Sequence, residues 1–205
     1  MLSLVSLLAD VASEMLYPII PIYLNEIGFS VLLIGVLEGV VNFVAGLTKG
    51  YFGKRSDETG LRLPFIKTGY ALSALSKPLL AFWAAPLWVF FVRSLDRLGK
   101  GVRTAARDAL LSQQATPATK ARVFGFHRSM DTLGAAIGPV ITLGLLLLFP
   151  KDYPLLFLIA FIPGILSVLL IFWLKEKKNP RLYQRGVRSF LISVTGRLLP
   201  LLIES

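Results

Sequence analysis

Apolar segments long enough to cross a membrane alternate with short polar segments along this chain. The clearest of them, residues 154–174, holds 21 residues without a charge. As a helix, a segment of that length can cross about 30 Å of hydrocarbon. Prolines and charged turns mark the ends of the other apolar segments. The pattern predicts six helices, at about residues 1–24, 31–52, 64–84, 87–112, 121–149 and 154–174.

The chain changes character after the sixth segment. Residues 175–188 are basic, and residues 189–205 are apolar but are interrupted by Arg197 and Pro200. We expect this last stretch to form an interfacial helix or to begin a seventh helix. The prediction is therefore an all-α membrane protein with two parts. These are a six-helix transmembrane bundle at residues 1–178 and a basic cytoplasmic linker with a short apolar tail at residues 179–205.

The distribution of basic residues predicts the orientation of the bundle. The chain has 22 lysines and arginines against 12 acidic residues, a formal net charge of +10. These cations lie beside spanning segments rather than on one soluble face, which argues against nucleic-acid binding. Six crossings place both ends on one side, where the loop cations are concentrated, whereas the opposite turns hold only Lys151. The positive-inside rule then predicts a multi-pass protein of the cytoplasmic (inner) membrane with both ends of the bundle cytoplasmic.

The composition contains few of the residues that catalysis or metal binding commonly requires. The chain has no cysteine and one histidine, which excludes thiolate and multi-histidine metal sites within it. The Gly99-Lys100-Gly101 sequence lacks the P-loop pattern and a preceding strand, so nucleotide binding is rejected. No serine, histidine and acid arrangement stands out as catalytic. We expect no catalytic residue, no metal and no cofactor.

A charge-rich segment at residues 93–108 is the main departure from the apolar pattern, with seven charges in the fourth predicted helix. A charge at the centre of a membrane helix costs about 2.5–3.5 kcal/mol, so a lipid-facing stripe of charges would not insert. The stripe must face other helices or water, and it predicts a polar pathway inside the bundle. At 100° per residue, the basic residues that share one side are Arg93, Arg97, Lys100, Arg103 and Arg107.

Several acids are predicted to lie at the depth of these arginines. Counting about ten residues inward from each helix end gives the middle of the membrane. The charges near that level are Asp10, Glu14, Glu38, Arg93, Asp96, Arg97 and Asp131. Such residues either lock the bundle as ion pairs or line a substrate cavity, because charges inside the membrane are expensive unless they are paired or functional.

If these charges line a cavity, individual residues can be assigned candidate roles. Arg93 and Arg97, with Asp10 and Glu14, are the candidates for substrate binding, and Glu14, Asp131 and Asp10 are the candidates for proton coupling. His127 could titrate near neutral pH, but a lone histidine is more often structural. Lys77 either snorkels to the interface or lines the cavity.

Three motifs resemble those of the major facilitator superfamily. The segment between the second and third predicted helices resembles its loop signature, although Glu58 and Leu61 stand where bases are usual. The charged segment resembles the arginine-bearing motif of its fourth helix. The third motif resembles the fifth-helix motif of drug–proton antiporters, without its usual second glycine pair. The matching residues are Gly53, Ser56, Asp57, Gly60 and Arg62 in the loop, and Gly125, Gly134, Gly138 and Pro139 in the fifth predicted helix.

The resemblance implies two six-helix halves that rock around a central cavity, of which this chain is the amino-terminal half. It implies that the first and fourth helices line that cavity. It also implies gating roles for Gly53, Asp57, Gly60, Arg62, Lys100, Arg103, Gly134, Gly138 and Pro139.

The predicted function is half of a secondary active transporter, proton-coupled, with drug/proton antiport-like efflux as one form. An excess of cations on the fourth helix favours an anionic or zwitterionic substrate. The expected partners are a small-molecule substrate, protons, the lipid bilayer, and either a missing carboxy-terminal half or a second copy. Two alternatives stay open, namely a self-associating six-helix half-transporter and a non-transporting membrane scaffold.

Overall fold

Seven helical segments make six crossings in the computed structural model, which describes residues 1–175. No strand occurs in this range. The all-α bundle of six membrane crossings is confirmed. The segments are α1 (Leu2–Glu14), α2 (Ile19–Glu26), α3 (Val31–Thr59), α4 (Leu63–Phe82), α5 (Pro86–Gln114), α6 (Lys120–Leu148) and α7 (Tyr153–Phe172). The basic linker and the apolar tail lie outside the described residues.

The first crossing is interrupted, whereas the prediction had one continuous helix to residue 24. The chain leaves α1 after Glu14, and α2 starts after Pro18. Proline has no backbone N–H and therefore interrupts the hydrogen-bond ladder of a helix. Ile19 N donates to the carbonyl of Leu16 instead of that of Met15. The two parts together form one segment, Leu2–Glu26, of spanning length.

The second crossing is longer than predicted. We expected residues 54–62 to form a loop, but α3 continues to Thr59. It ends at Gly60, whose φ of 66° is left-handed, a conformation that glycine adopts without steric cost and that commonly ends a helix. The polar segment is helical because its side chains find partners on their own helix and at its end. The connection to α4 is therefore only a few residues long.

Polarity separates the crossings into two groups. Leu2–Glu26, α3, α6 and α7 are each long and apolar enough to cross a membrane by themselves. Within residues 1–175, α4 and α5 do not reach that level. They carry the buried Lys77, Arg93 and Arg103, so they depend on neighbouring helices to cover their charges.

Contacts between helix ends fix the topology. At one end of the bundle, His127 at the start of α6 lies 3.2 Å from the hydroxyl of Ser3 at the start of α1. At the same end Lys67 donates to the carbonyl of Phe172, 3.5 Å away. At the opposite end the hydroxyl of Tyr153 donates to Glu26. Both ends of the described chain therefore lie on one side, as six crossings require.

Glycines bring α5 very close to its neighbours. A Cβ on Gly99 would lie 2.7 Å from the carbonyl oxygen of Gly69, and a Cβ on Gly101 would lie 2.7 Å from that of Ala45. These positions hold α5 between α4 and α3. Four glycines that share one side of α3, a spacing typical of close helix packing, behave differently. In the described part of the chain, nothing lies within 4 Å of a Cβ placed on Gly35, Gly39, Gly46 or Gly50.

The buried apolar residues form two clusters along the membrane normal. One lies towards the α1–α2 break and includes Leu16, Val89 and Phe157. The other lies towards the described chain ends and includes Ile66 and Ile171. Along α4 and α5, the buried Lys77 and Asp96 fall between the residues of one cluster and those of the other. This layered arrangement positions the site described next.

Candidate functional site

A charged cavity of about 290 Å³ lies where α1, α5 and α6 meet. Its acids come from α1 and α6, and most of its cations come from α5. Two threonines, Thr104 and Thr132, add hydroxyl groups to the wall. The ionisable residues that line it are Asp10, Glu14, Lys100, Arg103, Arg107, Arg128 and Asp131.

Arg103 is the most deeply buried of these cations, at 1% exposed. Its guanidinium carbon lies 4.3 Å from the centre of the Tyr70 ring, a cation–π contact, and its Nη2 lies 3.8 Å from a carboxylate oxygen of Asp10. Its Nε and Nη1 have no hydrogen-bond partner among residues 1–175. The side chain is held by a ring and one distant acid, and much of its hydrogen-bonding capacity is left over.

Asp131 lies among three basic side chains. Its carboxylate oxygens are 3.6 Å from Arg107 Nη2, 3.8 Å from Arg128 Nη1 and 3.7 Å from His127 Nε2. Arg107 is fixed in turn by donating to the hydroxyl of Ser6 at 2.6 Å. This group links α6 to α5 and α1 at the mouth of the cavity.

Lys100 and Glu14 differ from the other lining charges. Both are partly exposed to the cavity. Neither makes an ion pair or a side-chain hydrogen bond with any residue in the described range 1–175. The cavity therefore contains one cation and one acid without a close ion-pair partner in the described part of the chain.

Arg93 and Arg97 lie elsewhere. Arg93 forms an ion pair with Glu38 of α3, and Arg97 Nη2 lies 4.0 Å from the other oxygen of that carboxylate. The expectation grouped both arginines with Asp10 and Glu14. The structure instead brings Arg103 to Asp10 and turns Arg93 and Arg97 towards α3. Their role in substrate binding stays a prediction.

Asp96 and Lys77 form an enclosed network between α4 and α5. Lys77 Nζ donates to Asp96 Oδ1 at 2.6 Å and also lies 3.3 Å from the hydroxyl of Ser13. Ser73 and Ser76 donate to the same carboxylate oxygen, at 3.0 and 3.3 Å. Lys77 is 1% exposed, so it neither snorkels to the interface nor lines the cavity. Both interpretations of Lys77 from sequence were therefore wrong. The sequence did not indicate its partner, Asp96, because that residue lies on the neighbouring helix α5.

The residues that match the loop signature converge at the end of α3. Arg62 forms an ion pair with Asp57 and donates to the hydroxyl of Ser56 at 2.7 Å. Ser56 donates to the carbonyl of Gly53 at 3.0 Å. A Cβ on Gly53 would lie 2.9 Å from the Cβ of Ala105, so this motif also touches α5.

The glycines of the fifth-helix motif pack α6 against α1. A Cβ on Gly134 would lie 2.7 Å from the carbonyl oxygen of Leu7. A Cβ on Gly138 would lie 2.9 Å from the backbone nitrogen of Met15. One turn further, Thr142 donates to the Met15 carbonyl at 2.6 Å. Pro139 lies inside α6 next to this contact, and Gly125 has open space around it in the described chain.

Sequence reasoning missed three parts of this site. Arg128 was not singled out, although it lies three residues before Asp131 and hence on the same helix side. Tyr70 gave no signal, because an aromatic residue in an apolar helix is ordinary. The Gly69–Gly99 contact was also missed, since nothing in the sequence says which helices are neighbours.

A bundle of membrane-crossing helices that encloses a polar, ion-lined cavity is the architecture of a multi-pass transport protein. The sequence model described as Major Facilitator Superfamily matches residues 2–202. The chain belongs to the Major Facilitator Superfamily. Members of this family are membrane transporters of small molecules and not enzymes, which confirms the expectations of family and of a non-enzymatic role.

Curated relatives agree with this assignment. The chain is 34% identical over 180 residues to an uncharacterized MFS-type transporter of Methanocaldococcus jannaschii, covering 88% of this chain and 45% of that protein. It is 33% identical over 178 residues to an uncharacterized protein of Mycobacterium tuberculosis strain H37Rv, covering 86% and 43%. It is 28% identical over 137 residues to the multidrug resistance protein MdtH of Photorhabdus laumondii, covering 66% and 34%.

A solved structure shows the same fold. It is a bacterial homolog to the human lysosomal transporter Spinster, in an inward-facing and occupied conformation, with a TM-score of 0.70 and 17% identity. The match covers 87% of this chain and 43% of that one. The chain thus spans less than half the length of the relatives that it matches.

Proposed function

We propose that this chain supplies one half of a proton-coupled secondary transporter, which moves a small solute across the cytoplasmic membrane by alternating access. The charged cavity between α1, α5 and α6 carries the proposal. Lys100 and Glu14, which have no ion-pair partner among residues 1–175, favour a solute-binding role over a scaffold, in which ion pairs would seal such a space. The resemblance to proteins named for multidrug resistance supports efflux as the direction.

In this proposal, proton coupling arises because protons and arginines compete for two carboxylates. Asp10 faces Arg103, and Asp131 faces Arg107. A protonated carboxyl no longer attracts a guanidinium, so proton binding would loosen α5 from α1 and α6. A solute anion would then have the released arginine as a partner. Protons and solute would in this way use the same side chains in alternation.

Gating is assigned to the helix contacts around the cavity. The Asp57–Arg62 pair lies at the end of α3, where it would hold one side of the bundle closed against a second half. Gly134, Gly138 and Pro139 keep α6 against α1, so this pair would move as one body. The proposal assigns both described ends to the cytoplasm, because the positive-inside rule favours that side for basic loops.

Reconstitution tests the coupling. The protein expressed from its native reading frame is placed in proteoliposomes with a pH-sensitive dye inside. Proton flux is then recorded on adding amino acids, organic anions or lipophilic cations. Asp131→Asn should abolish solute-driven proton flux but retain exchange of labelled solute, because the site can still bind.

The matched control, Glu58→Gln, changes an acid of α3 that pairs with Arg55 and does not line the cavity. Proton flux unchanged in Asp131→Asn and Asp10→Asn would refute the coupling.

A second six-helix half is the partner that the exposed faces of α3 and α6 favour. Apolar side chains such as Phe43, Leu47 and Leu147 are exposed there, and the open glycine row of α3 runs along the same helix. The relatives are more than twice as long as the matched region, so the half is supplied by more sequence of that kind or by a second copy. The molecular mass of the purified protein in detergent separates these two cases.

A further inference from the structure

Two of the acids that line the cavity have an arginine close by, whereas one acid and one cation do not. Asp10 has Arg103 as a neighbour, and Asp131 has Arg107, with each pair separated by less than 4.0 Å. Within residues 1–175, Lys100 on α5 and Glu14 on α1 have no such neighbour, although both line the same cavity. Two helices therefore present to one cavity opposite charges that have no ion-pair partner in the described residues.

Arg103 gives a second, independent indication of a ligand. It is almost fully buried, yet its Nε and Nη1 lack acceptors in the described chain. Buried N–H groups in native proteins nearly always have a partner, so an acceptor from outside the described residues is expected here. Lys100 lies three residues before Arg103 on α5, which places both cations on one helix side. The cation pair is suited to an anionic group.

We propose that the cavity binds a small zwitterion, with its anionic group on Lys100 and Arg103 and its ammonium group on Glu14. This inference rests on the proposed function and names its substrate class. A simple anion would leave the Glu14 carboxylate facing it without compensation, and a simple cation would meet Lys100 and Arg103. The volume of about 290 Å³ lies at the small end of ligand pockets, which range over about 300–1,000 Å³. Amino acids and amines that carry one carboxylate or phosphate fit this description.

Matched ligand triplets test the proposal by binding alone. The full chain in detergent is heated with a free L-amino acid, with its N-acetyl derivative, which lacks the positive charge, or with its amide, which lacks the negative charge. A ligand that binds only the folded state raises the unfolding temperature. Across a set of side chains, at least one free amino acid should raise it, and the two derivatives of that amino acid should not. Equal stabilisation by a derivative, or none by any free amino acid or aminoalkyl phosphate, would overturn the proposal.

Two variants assign the charges. Glu14→Gln should lower the affinity for the zwitterion about tenfold and bring the N-acetyl derivative to a similar affinity. Lys100→Gln should lower the affinity for the zwitterion about as much, without that change in preference. Glu58→Gln and Lys120→Gln, outside the cavity, are the matched controls. If Glu14→Gln does not fold, Lys100→Gln and the triplets on the unaltered protein decide the question.

The outcomes separate this inference from the function on which it rests. Zwitterion binding without proton-linked movement would contradict the proposed coupling and leave the binding proposal intact. Proton-linked movement of a simple anion, without zwitterion binding, would do the reverse.

Discussion

At the scale of single residues, the enclosed Lys77–Asp96 pair shows how this chain places charge inside a membrane. Each partner would be very expensive alone in an apolar surrounding. Three hydroxyl groups, from Ser13, Ser73 and Ser76, complete the network. The sequence displays each charge but not its partner, because the partner depends on which helices touch.

Removing one member of the pair should therefore be worse than removing both. Asp96→Ala leaves a buried lysine without a counter-charge and should cost about 3–5 kcal/mol of unfolding free energy. Lys77→Met combined with Asp96→Leu replaces both charges by apolar groups and should recover most of that loss. Denaturant unfolding in detergent gives both values, with Glu58→Ala as the surface control. A double variant no more stable than Asp96→Ala would contradict this account of the pair.

The Tyr70 ring offers a finer test two turns away from Lys77 on the same side of α4. Its hydroxyl is buried without a hydrogen-bond partner in residues 1–175, whereas its face carries the Arg103 guanidinium. Tyr70→Phe keeps the ring and should leave stability unchanged or slightly higher. Tyr70→Leu loses the cation–π contact, which is worth about 2 kcal/mol when desolvated. Unfolding midpoints that fall equally in both variants would show that the hydroxyl, and not the ring, matters.

Arg97 and Arg103 can be compared in transport. Only Arg103 lines the cavity, while Arg97 faces Glu38. Arg103→Gln should lower kcat/KM for solute movement at least about tenfold, equivalent to about 1.4 kcal/mol, and Arg97→Gln should lower it less. The measurement is initial uptake in proteoliposomes at equal protein density. A larger loss in Arg97→Gln would instead indicate that the substrate binds on the side of α5 that faces α3.

At the scale of helices, the sequence predicted the number, order and approximate bounds of the crossings, because apolar length and charged turns are local signals. It did not predict which glycines are packed. The glycines of α3 from Gly35 to Gly50 have small-residue spacing, but nothing in the described chain packs against them. Gly69 and Gly99 are in contact, although neither belongs to a repeated small-residue spacing. Spacing reports that residues share a side. It does not report which helix covers that side.

Two alanine substitutions make that difference measurable. Gly99→Ala would place a Cβ 2.7 Å from the Gly69 carbonyl, so α4 and α5 must separate. Overpacking of this kind costs about 1–3 kcal/mol. Gly39→Ala meets nothing within 4 Å in the described chain and should be neutral or stabilising by up to about 1 kcal/mol through helix propensity. Unfolding of the purified chain in detergent measures both, and a neutral Gly99→Ala would disprove the close approach.

At the scale of the whole molecule, the charged stripe of α5 was predicted to face inward, and it does, but its side chains pair with four different helices. Arg93 of α5 forms an ion pair with Glu38 of α3, and Asp96 forms one with Lys77 of α4. Arg103 and Arg107 lie beside the acids of α1 and α6. A helical wheel can assign one face, and membrane depth can be counted from helix ends. Neither the wheel nor the depth tells how a long helix divides its charges among four neighbouring helices.

The interruption of the first crossing has a mechanical consequence. Pro18 and the shifted Ile19 bond leave the Met15 carbonyl without the donor that a continuous helix would provide, and Thr142 of α6 supplies it. In hydrocarbon no water could take over that role, and an unmet backbone acceptor costs several kcal/mol. Neither helix can slide or turn past the other without breaking this tether. In the proposed rocking cycle, α6 and the first crossing would therefore travel together, and the motion would be taken up at their borders with α5.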